Sequence, residues 1–313
     1  MPKIKKPNIV ITMGDPCGIG PEIIAKALCH PQVNKLGNFH IIGDYQVFSK
    51  YAKKPVANTT FLDLKNISKP LEIATVNKKA GQASLEYLDT ALSLLKAKKF
   101  SALVTGPVCK EAVQMVIPKF KGHTEYLANF FGIKKYDMMF VVDQLKIVVA
   151  TRHIPLSKVS KAITLKSIYQ TIDLTAKSLK TFFKLKNPKI AICGLNPHAG
   201  EGGGIGKEEV TTITPAIKKA QRLYPKVLGP FAADTLFCPS ALKKFDAVIA
   251  MYHDQGLIPT KATSFNKLVN FTIGLPIIRT SPAHGTAFDI VGKNKANPSS
   301  MIESIKLAAR LAK

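Results

Sequence analysis

Residues 187–209 read Asn-Pro-Lys-Ile-Ala-Ile-Cys-Gly-Leu-Asn-Pro-His-Ala-Gly-Glu-Gly-Gly-Gly-Ile-Gly-Lys-Glu-Glu. The apolar run at 190–193 is short and bounded, the pattern of a buried strand. A polar, glycine-dense loop follows. Acidic residues then suit the positive end of a helix starting near Lys207. A loop that leaves a strand and enters a helix is where α/β proteins hold ligands. This one carries His198 and Glu201 among Gly194, Gly200, Gly202, Gly203 and Gly204, with Gly206 just after. So many glycines cost backbone entropy on folding, and the bland alternative is a flexible surface connector. His, Asn, Pro and Glu held among the glycines argue for a functional loop.

The same strand, loop, helix grammar recurs along the chain. Strands are expected at 8–12, 39–43, 102–105, 246–251, 269–272 and 277–279. The runs 138–142 and 145–151, joined by Asp143-Gln144, form an expected hairpin. Helices are expected at 82–95, where Leu85, Leu88, Leu92 and Leu95 share a face, at 165–184 behind Thr164 as N-cap, at 208–223, and at 299–312 with Ser299 as N-cap. Residues 45–80 carry few signals. The pattern argues for an α/β protein with mostly parallel sheets, built as two lobes around a central cleft.

The totals agree with that size and class. The chain has 313 residues, 46% hydrophobic and 21% charged, enough for about two domains. Five cysteines, at 17, 29, 109, 193 and 238, show no zinc-ribbon or redox-pair spacing and read as free thiols. No apolar run reaches membrane-spanning length. The apolar stretch behind the basic start is too short for a signal peptide, so a cytoplasmic protein is expected. The net charge of +25 raises nucleic acid as a partner. The lysines, however, are spread along the whole length with no Arg-rich arm or aromatic-basic signature. A solvated lysine face with no nucleic acid partner is the better reading, and a positive field draws in small anions.

Four histidines lie in or beside such loops: His123, His153, His198 and His253. A lone loop histidine is commonly a hydrogen-bonded or solvated residue. His153, His198 and His253, however, each follow an apolar run. Strand ends of a parallel sheet share one edge, so these rings are candidates for one metal. His30 and His40 lack that setting and read as structural. Lys261, Asn270 and Arg279 cluster in the last third, and arginine is scarce enough in this chain to single out Arg279 as an oxyanion partner. In the first loop, Met13-Gly14-Asp15-Pro16-Cys17-Gly18-Ile19-Gly20-Pro21-Glu22, the glycines miss the GxGxxG dinucleotide spacing, and Asp15 is the residue of interest. A phosphate-binding GxxxxGK[ST] loop nearly appears at Gly206-Lys207 and fails, because Glu201 and Glu208 hold its other positions.

Taken together, Ile-Thr-Met-Gly-Asp-Pro-Cys-Gly-Ile-Gly-Pro-Glu at 11–22, Thr-Gly-Pro-Val at 105–108 with Lys110, and Gly-His-Thr-Glu at 122–125 resemble one family. So do Gly-Leu-Asn-Pro-His-Ala-Gly-Glu-Gly-Gly at 194–203, Ala-Asp-Thr-Leu-Phe at 233–237, Met-Tyr-His-Asp-Gln-Gly-Leu at 251–257, Gly-Leu-Pro-Ile-Ile-Arg-Thr-Ser at 274–281 and His-Gly-Thr-Ala at 284–287. The family is the 4-hydroxythreonine-4-phosphate dehydrogenases of vitamin B6 biosynthesis. The tail, with Ala296-Asn297-Pro298, is also similar to the adenosine-binding loop of isocitrate and isopropylmalate dehydrogenases. The resemblance implies that fold, with 1–124 plus 276–313 as a cofactor-side domain and 125–275 as the domain of the metal ligands and dimer interface.

It implies NAD- or NADP-dependent oxidation of 4-phosphooxy-L-threonine, with decarboxylation to 3-amino-2-oxopropyl phosphate. His153, His198 and His253 would hold a divalent metal, Zn2+ or alternatively Mg2+ or Co2+, shared across a homodimer, with His253 reaching from the partner. His123, Thr124, Lys261, Asn270 and Arg279 would contact the small phosphorylated substrate. Asp234 would stand near the metal, and His284, Gly285, Asp289 and Asn297 near the cofactor. Cys17, Cys109 and Gly204 depart from the family's usual residues and touch no implied metal ligand, so they bear on the cofactor loop and not on the reaction. A sister dehydrogenase of 4-phosphothreonate or 4-phosphoerythronate and a phosphate acyltransferase are the alternative enzyme readings.

Overall fold

The computed structural model describes residues 6–52, 55–67 and 72–313, so the basic start at 1–5 lies outside the described residues. The strands, in chain order, are β1 (Asn8–Thr12), β2 (Asn38–Gly43), β3 (Thr59–Asp63), β4 (Ala102–Thr105), β5 (Asp137–Val142), β6 (Leu145–Thr151), β7 (Ile190–Cys193), β8 (Val227–Phe231), β9 (Ala247–Tyr252), β10 (Val269–Ile273) and β11 (Ile278–Pro282). The fold is α/β with mostly parallel pairing, as the sequence pattern predicts. The chain forms two compact units.

The first unit comprises the described residues of Met1–Ile133 with Val269–Phe271 and Leu275–Lys313. Its strands run in the order β3-β2-β1-β4-β11, all parallel. The first residues of β10 lie antiparallel to β11. Parallel strands are covered on both faces, which is why β1 and β4 read as unbroken apolar runs: Ile9, Val10, Ile11, Leu103 and Val104 are all 0% exposed. The helix Lys78–Lys96 buries Leu85, Leu88, Leu92 and Leu95, the stripe legible in the sequence. The C-terminal helix Ser299–Leu311 begins one residue earlier than a Ser299 cap allows. Ser299 is its first helical residue, and its N–H is taken by the Asn297 side chain at 2.9 Å. Asn297 thus satisfies the first of the N–H donors that the start of a helix leaves without an intrahelical partner.

The second unit comprises Lys134–Leu268 with Thr272–Gly274. The hairpin β5–β6 is antiparallel; β6, β9, β7 and β8 follow side by side in parallel. The chain runs β6 to β7 to β8 in one direction across the sheet and returns to β9 in the other. Right-handed crossovers therefore put the helices Leu165–Thr181 and Thr214–Gln221 on one face and the segment before β9 on the other. Thr164 caps the first of these helices in a capping box with Ser167. β8 gives no alternating signal because Gly229-Pro230 interrupts it. A proline is tolerated there because β8 is an edge strand, paired among the described residues with β7 alone. No helix among the described residues is long and apolar enough to cross a membrane.

Candidate functional site

In the second unit the C-terminal ends of β6, β9 and β7 stand side by side, and His153, His253 and His198 follow those three ends. The topology therefore gives the three histidines the shared edge that their place in the sequence predicts. Thr151 is in register with Tyr252, and its hydroxyl donates to Met251 O at 2.7 Å. This tie brings the His153 and His253 rings to 5.7 Å between centroids. His198 does not complete a cluster with them: among the described residues of one chain, no three His, Cys, Asp or Glu side chains converge as a metal site.

The chemistry of the three nonetheless suits a divalent cation. His253 Nδ1 lies 2.7 Å from Asp254 Oδ1, and His198 Nδ1 lies 2.6 Å from Glu201 Oε1. A carboxylate on Nδ1 fixes the tautomer and leaves Nε2 as the ligating atom. The hydrogen bond and charge of Glu201, with Asp234 adding to them, push the exposed His198 imidazole up from its usual pKa. Asp234 sits in the first turn of the short helix Ala233–Leu236. Arg152, next to His153, pairs with Asp137 at 3.6 Å and lies over the Tyr136 ring at 5.0 Å.

The loop carrying His198 is strained and anchored. His198, Ala199, Gly200, Glu201 and Gly202 all have positive φ, at 51°, 53°, 78°, 42° and 65°. Non-glycine residues in this region are costly and persist where surrounding structure over-determines them. The over-determining group is Glu209, which is 2% exposed. Its Oε1 accepts from the N–H groups of Leu195 and Asn196, both at 2.7 Å, and its Oε2 accepts from Asn196 Nδ2 at 2.9 Å. Glu208 also accepts from Asn196 Nδ2, at 2.9 Å. The sequence pattern reads these acids as helix-dipole partners; in the fold they also anchor the loop.

In the first unit an anion-handling group forms around Arg279. Arg279 is 2% exposed, and its Nη2 donates to Thr105 Oγ1 at 2.6 Å. It lies in β11 opposite Leu103 of β4. The next residue, Thr280, turns to the other face and donates to Ser304 O at 2.9 Å in the C-terminal helix. Burial lowers the Arg279 pKa to about 9, with Glu125 acting in the opposite sense. A guanidinium stays charged at neutral pH even so. His123 begins the helix His123–Phe130. Desolvation first, then the positive charges of Arg279 and Lys110, hold its imidazole well below the usual range. It is therefore a neutral donor and acceptor beside two cations, an arrangement that favours an incoming anion. Thr124 is 5% exposed, Asn270 lies half-buried in β10, and Lys261, in the second unit, lies near the end of the helix His253–Ser264. Sequence reasoning missed Thr105 as the partner of Arg279; no local pattern marks it.

The segment 284–297 is tied to the start of the chain. Ile19 N–H donates to Thr286 O at 3.0 Å, and the buried Glu22 accepts from Ala296 N–H at 3.0 Å and from Lys26 Nζ at 2.6 Å. Lys26 also reaches Asn294 O and Ala296 O, at 3.0 and 3.1 Å. His284 folds onto Gly285 O at 3.0 Å, Gly285 has open space around it, and Asp289 is exposed. Of the expected cofactor residues, Asn297 has the structural task, described above, of accepting the first N–H of the C-terminal helix. His30 and His40 are bonded locally: Gln32 N–H donates to His30 Nδ1 at 3.3 Å, and His40 Nδ1 lies 2.6 Å from Thr60 Oγ1.

The family model described as "Pyridoxal phosphate biosynthetic protein PdxA" matches residues 19–308. The chain is 43% identical over 324 residues to the 4-hydroxythreonine-4-phosphate dehydrogenase of Desulforapulum autotrophicum, covering 97% of this chain and 95% of that one. It superposes on the crystal structure of 4-hydroxythreonine-4-phosphate dehydrogenase from Klebsiella pneumoniae with a TM-score of 0.88 at 33% identity, covering 98% of this chain and all (100%) of that one. At the level of fold alone it is like a β-decarboxylating dehydrogenase from Thermococcus kodakarensis, with a TM-score of 0.52 at 16% identity over 95% of this chain and 81% of that one.

Proposed function

The chain belongs to the PdxA family of pyridoxal phosphate biosynthetic proteins, and from that premise we propose that it is a 4-hydroxythreonine-4-phosphate dehydrogenase. It oxidises the C3 alcohol of 4-phosphooxy-L-threonine to 2-amino-3-oxo-4-phosphooxybutanoate. That β-keto acid loses CO2 to give 3-amino-2-oxopropyl phosphate. The observation that carries this reading in the geometry is the buried Arg279 beside Lys110 and a neutral His123. Positive charge held in a desolvated pocket is stabilised by an anion, and phosphate oxygens match a guanidinium fork.

Arg279, with His123, Thr124 and Asn270, binds the anionic ends of the substrate; Lys261 adds an ammonium that can turn toward an oxyanion. These contacts fix the alcohol carbon for transfer and convert binding energy into orientation. NAD or NADP, when bound against the 284–297 segment, supplies the hydride acceptor. His153, His198 and His253 would hold a divalent cation, Zn2+ or alternatively Mg2+ or Co2+, which as a Lewis acid makes an alcohol more acidic. Glu201 and Asp254 hold the imidazoles of His198 and His253 in orientation, and Asp234 adds negative charge near His198.

A homodimer completes the histidine set, with His253 supplied by the partner subunit. Exposed apolar side chains in the segments that follow His153 and His253 support this: Ile154 (39%), Leu156 (70%), Ile258 (64%) and Phe265 (59%). Unpaired apolar groups of that size next to a polar site suit an interface. Five free cysteines support a reducing, cytoplasmic setting.

The test is direct. Purified protein with Zn2+ and NAD or NADP is given 4-phosphooxy-L-threonine, 4-phosphothreonate, 4-phosphoerythronate and an acyl-phosphate assay mixture, and reduced nicotinamide is followed by absorbance. Turnover confined to the first substrate supports the reading; preference for a sister acid reassigns the substrate; acyl-phosphate formation without nicotinamide reduction overturns it. His198→Ala should abolish turnover and lower bound metal as measured by elemental analysis.

A further inference from the structure

Gln255 lies two residues after His253 in the Met-Tyr-His-Asp-Gln-Gly-Leu stretch at 251–257. It is the third residue of the helix His253–Ser264, a place from which a side chain reaches back to the backbone ahead of the helix. Its Oε1 accepts the Met251 N–H at 2.7 Å, and its Nε2 donates to Gly194 O at 2.8 Å. These two partners fix which way the amide points, since an N–H needs an acceptor and a carbonyl needs a donor. The helix lies close enough to the sheet for this because the next residue has no side chain. A Cβ on Gly256 would fall 3.0 Å from Ile147 Cγ2 and 3.1 Å from Ala250 Cβ.

The amide acts where the pairing of two strands ends. The paired residues of β7 and β9 stop at Ile192 opposite Ile249. Gly194 and Met251 stand two residues further along each strand, and the Gln255 side chain joins them as one more rung. From Gly194 the tie continues to His198. A Cβ on Gly194 would fall 2.8 Å from Ala199 Cα and 3.0 Å from Ala199 Cβ, so the residue after His198 packs on the root of its own loop. The same root is held from other sides. Gly194 N–H donates to Phe231 O of β8 at 2.8 Å, and Glu209 accepts from Leu195 and Asn196 N–H, both at 2.7 Å. Gln255 supplies the tie to β9, the strand that leads into His253.

We propose that Gln255 is a positioning residue that fixes the root of the His198 loop to the end of β9 and so sets where His198 stands. This inference rests on the reading given under Proposed function, in which His198 and His253 hold a divalent cation. With His253 supplied to the partner subunit, the bridge joins the ligand that each chain keeps to the ligand that it supplies. Glutamine suits the task because one amide carries both a donor and an acceptor. A carboxylate in its place offers a second acceptor to the Gly194 carbonyl, and a methionine fills a similar space without either bond. Groups one step removed from a metal ligand change metal affinity by about 10- to 100-fold.

The experiment titrates the full-length protein, stripped of metal by a chelator, with Co2+, and reads the Kd and the visible absorption of the bound ion. Thermal denaturation of the same metal-free proteins is recorded alongside. Gln255→Met is expected to raise the Co2+ Kd by about tenfold and to change the absorption band, because His198 is no longer held in place. Gln255→Glu keeps an acceptor for Met251 and loses the donor for Gly194. It is expected to weaken Co2+ binding too, although its negative charge alone would tighten a cation. A wild-type Co2+ Kd in Gln255→Met overturns the proposal, whatever the change in melting temperature, since it leaves Gln255 a tie for stability alone. If Gln255→Met does not fold, Gln255→Glu decides the matter, and Co2+ binding as tight as wild type or tighter overturns the proposal. His198→Ala is the parallel control. If it binds Co2+ like wild type, the underlying metal reading fails; if it binds Co2+ weakly while Gln255→Met binds it normally, only the bridge fails.

Discussion

At the scale of single residues, burial sets the chemistry of the charged groups that matter. Arg279 lies buried, donates to Thr105 and has a neutral imidazole nearby. Arg279→Lys keeps the charge and removes the planar fork, so kcat/KM for the phosphorylated substrate should fall by about 10- to 100-fold, or roughly 1.5–3 kcal/mol, in initial-rate measurements. Asp15 offers a pH test. Burial raises its folded pKa to about 6, well above the ordinary carboxylate value of 3.8, so the native state binds its proton more tightly than the unfolded chain. That contribution to stability is present at low pH and is lost as pH rises from about 4 through 6, with an upper size of about 3 kcal/mol. His123 works in the opposite sense: with its folded pKa lowered, it withdraws stability as pH falls below its unfolded value. Comparing denaturation of wild type and Asp15→Asn between pH 4 and 7 cancels the histidine, and the wild-type gain on acidification should disappear in the variant. Arg279 was legible in the sequence because arginine is rare there. Thr105 was not, because the two meet across a separation of 174 residues.

At the scale of elements, the 194–209 loop shows why its glycines are not equivalent. Gly200 has φ +78° and a Cβ there would fall 2.5 Å from Glu209 Oε2, the carboxylate that anchors the loop. Gly202 has φ +65° with nothing within 4 Å. Gly202→Ala should therefore cost only the left-handed backbone term, about 1 kcal/mol, whereas Gly200→Ala should cost about 2–3 kcal/mol and displace His198. Urea denaturation and metal content of the two variants check this; equal losses would show that the Glu209 contact is unimportant. The glycine density and the strand before it were visible in the sequence. The run of left-handed residues was not, since His198, Ala199 and Glu201 carry no local preference strong enough to announce positive φ. Similarly, the edge strand β8 was hidden by Gly229-Pro230, whereas the buried strands announced themselves as unbroken apolar runs.

At the scale of the whole molecule, a net charge of +25 surrounds a reaction whose proposed substrate is a small anion. Association should accelerate at low ionic strength, so kcat/KM should fall several-fold as salt rises from about 20 to 200 mM, while kcat changes little. A flat kcat/KM across that range would show that the lysines serve solvation alone. Family, class and strand content could be read from the chain because motifs and periodicity are local: a buried strand must be apolar, and a ligand loop must carry its polar atoms in a short stretch. Contacts between distant segments were decided only on folding. The order β6-β9-β7 set His153 against His253, and the packing of loop on loop gave Glu22 and Glu209 their backbone partners. Such pairings depend on strand order and register, which no periodicity along the chain encodes, because each carboxylate finds its donors in a segment that local pattern treats as independent.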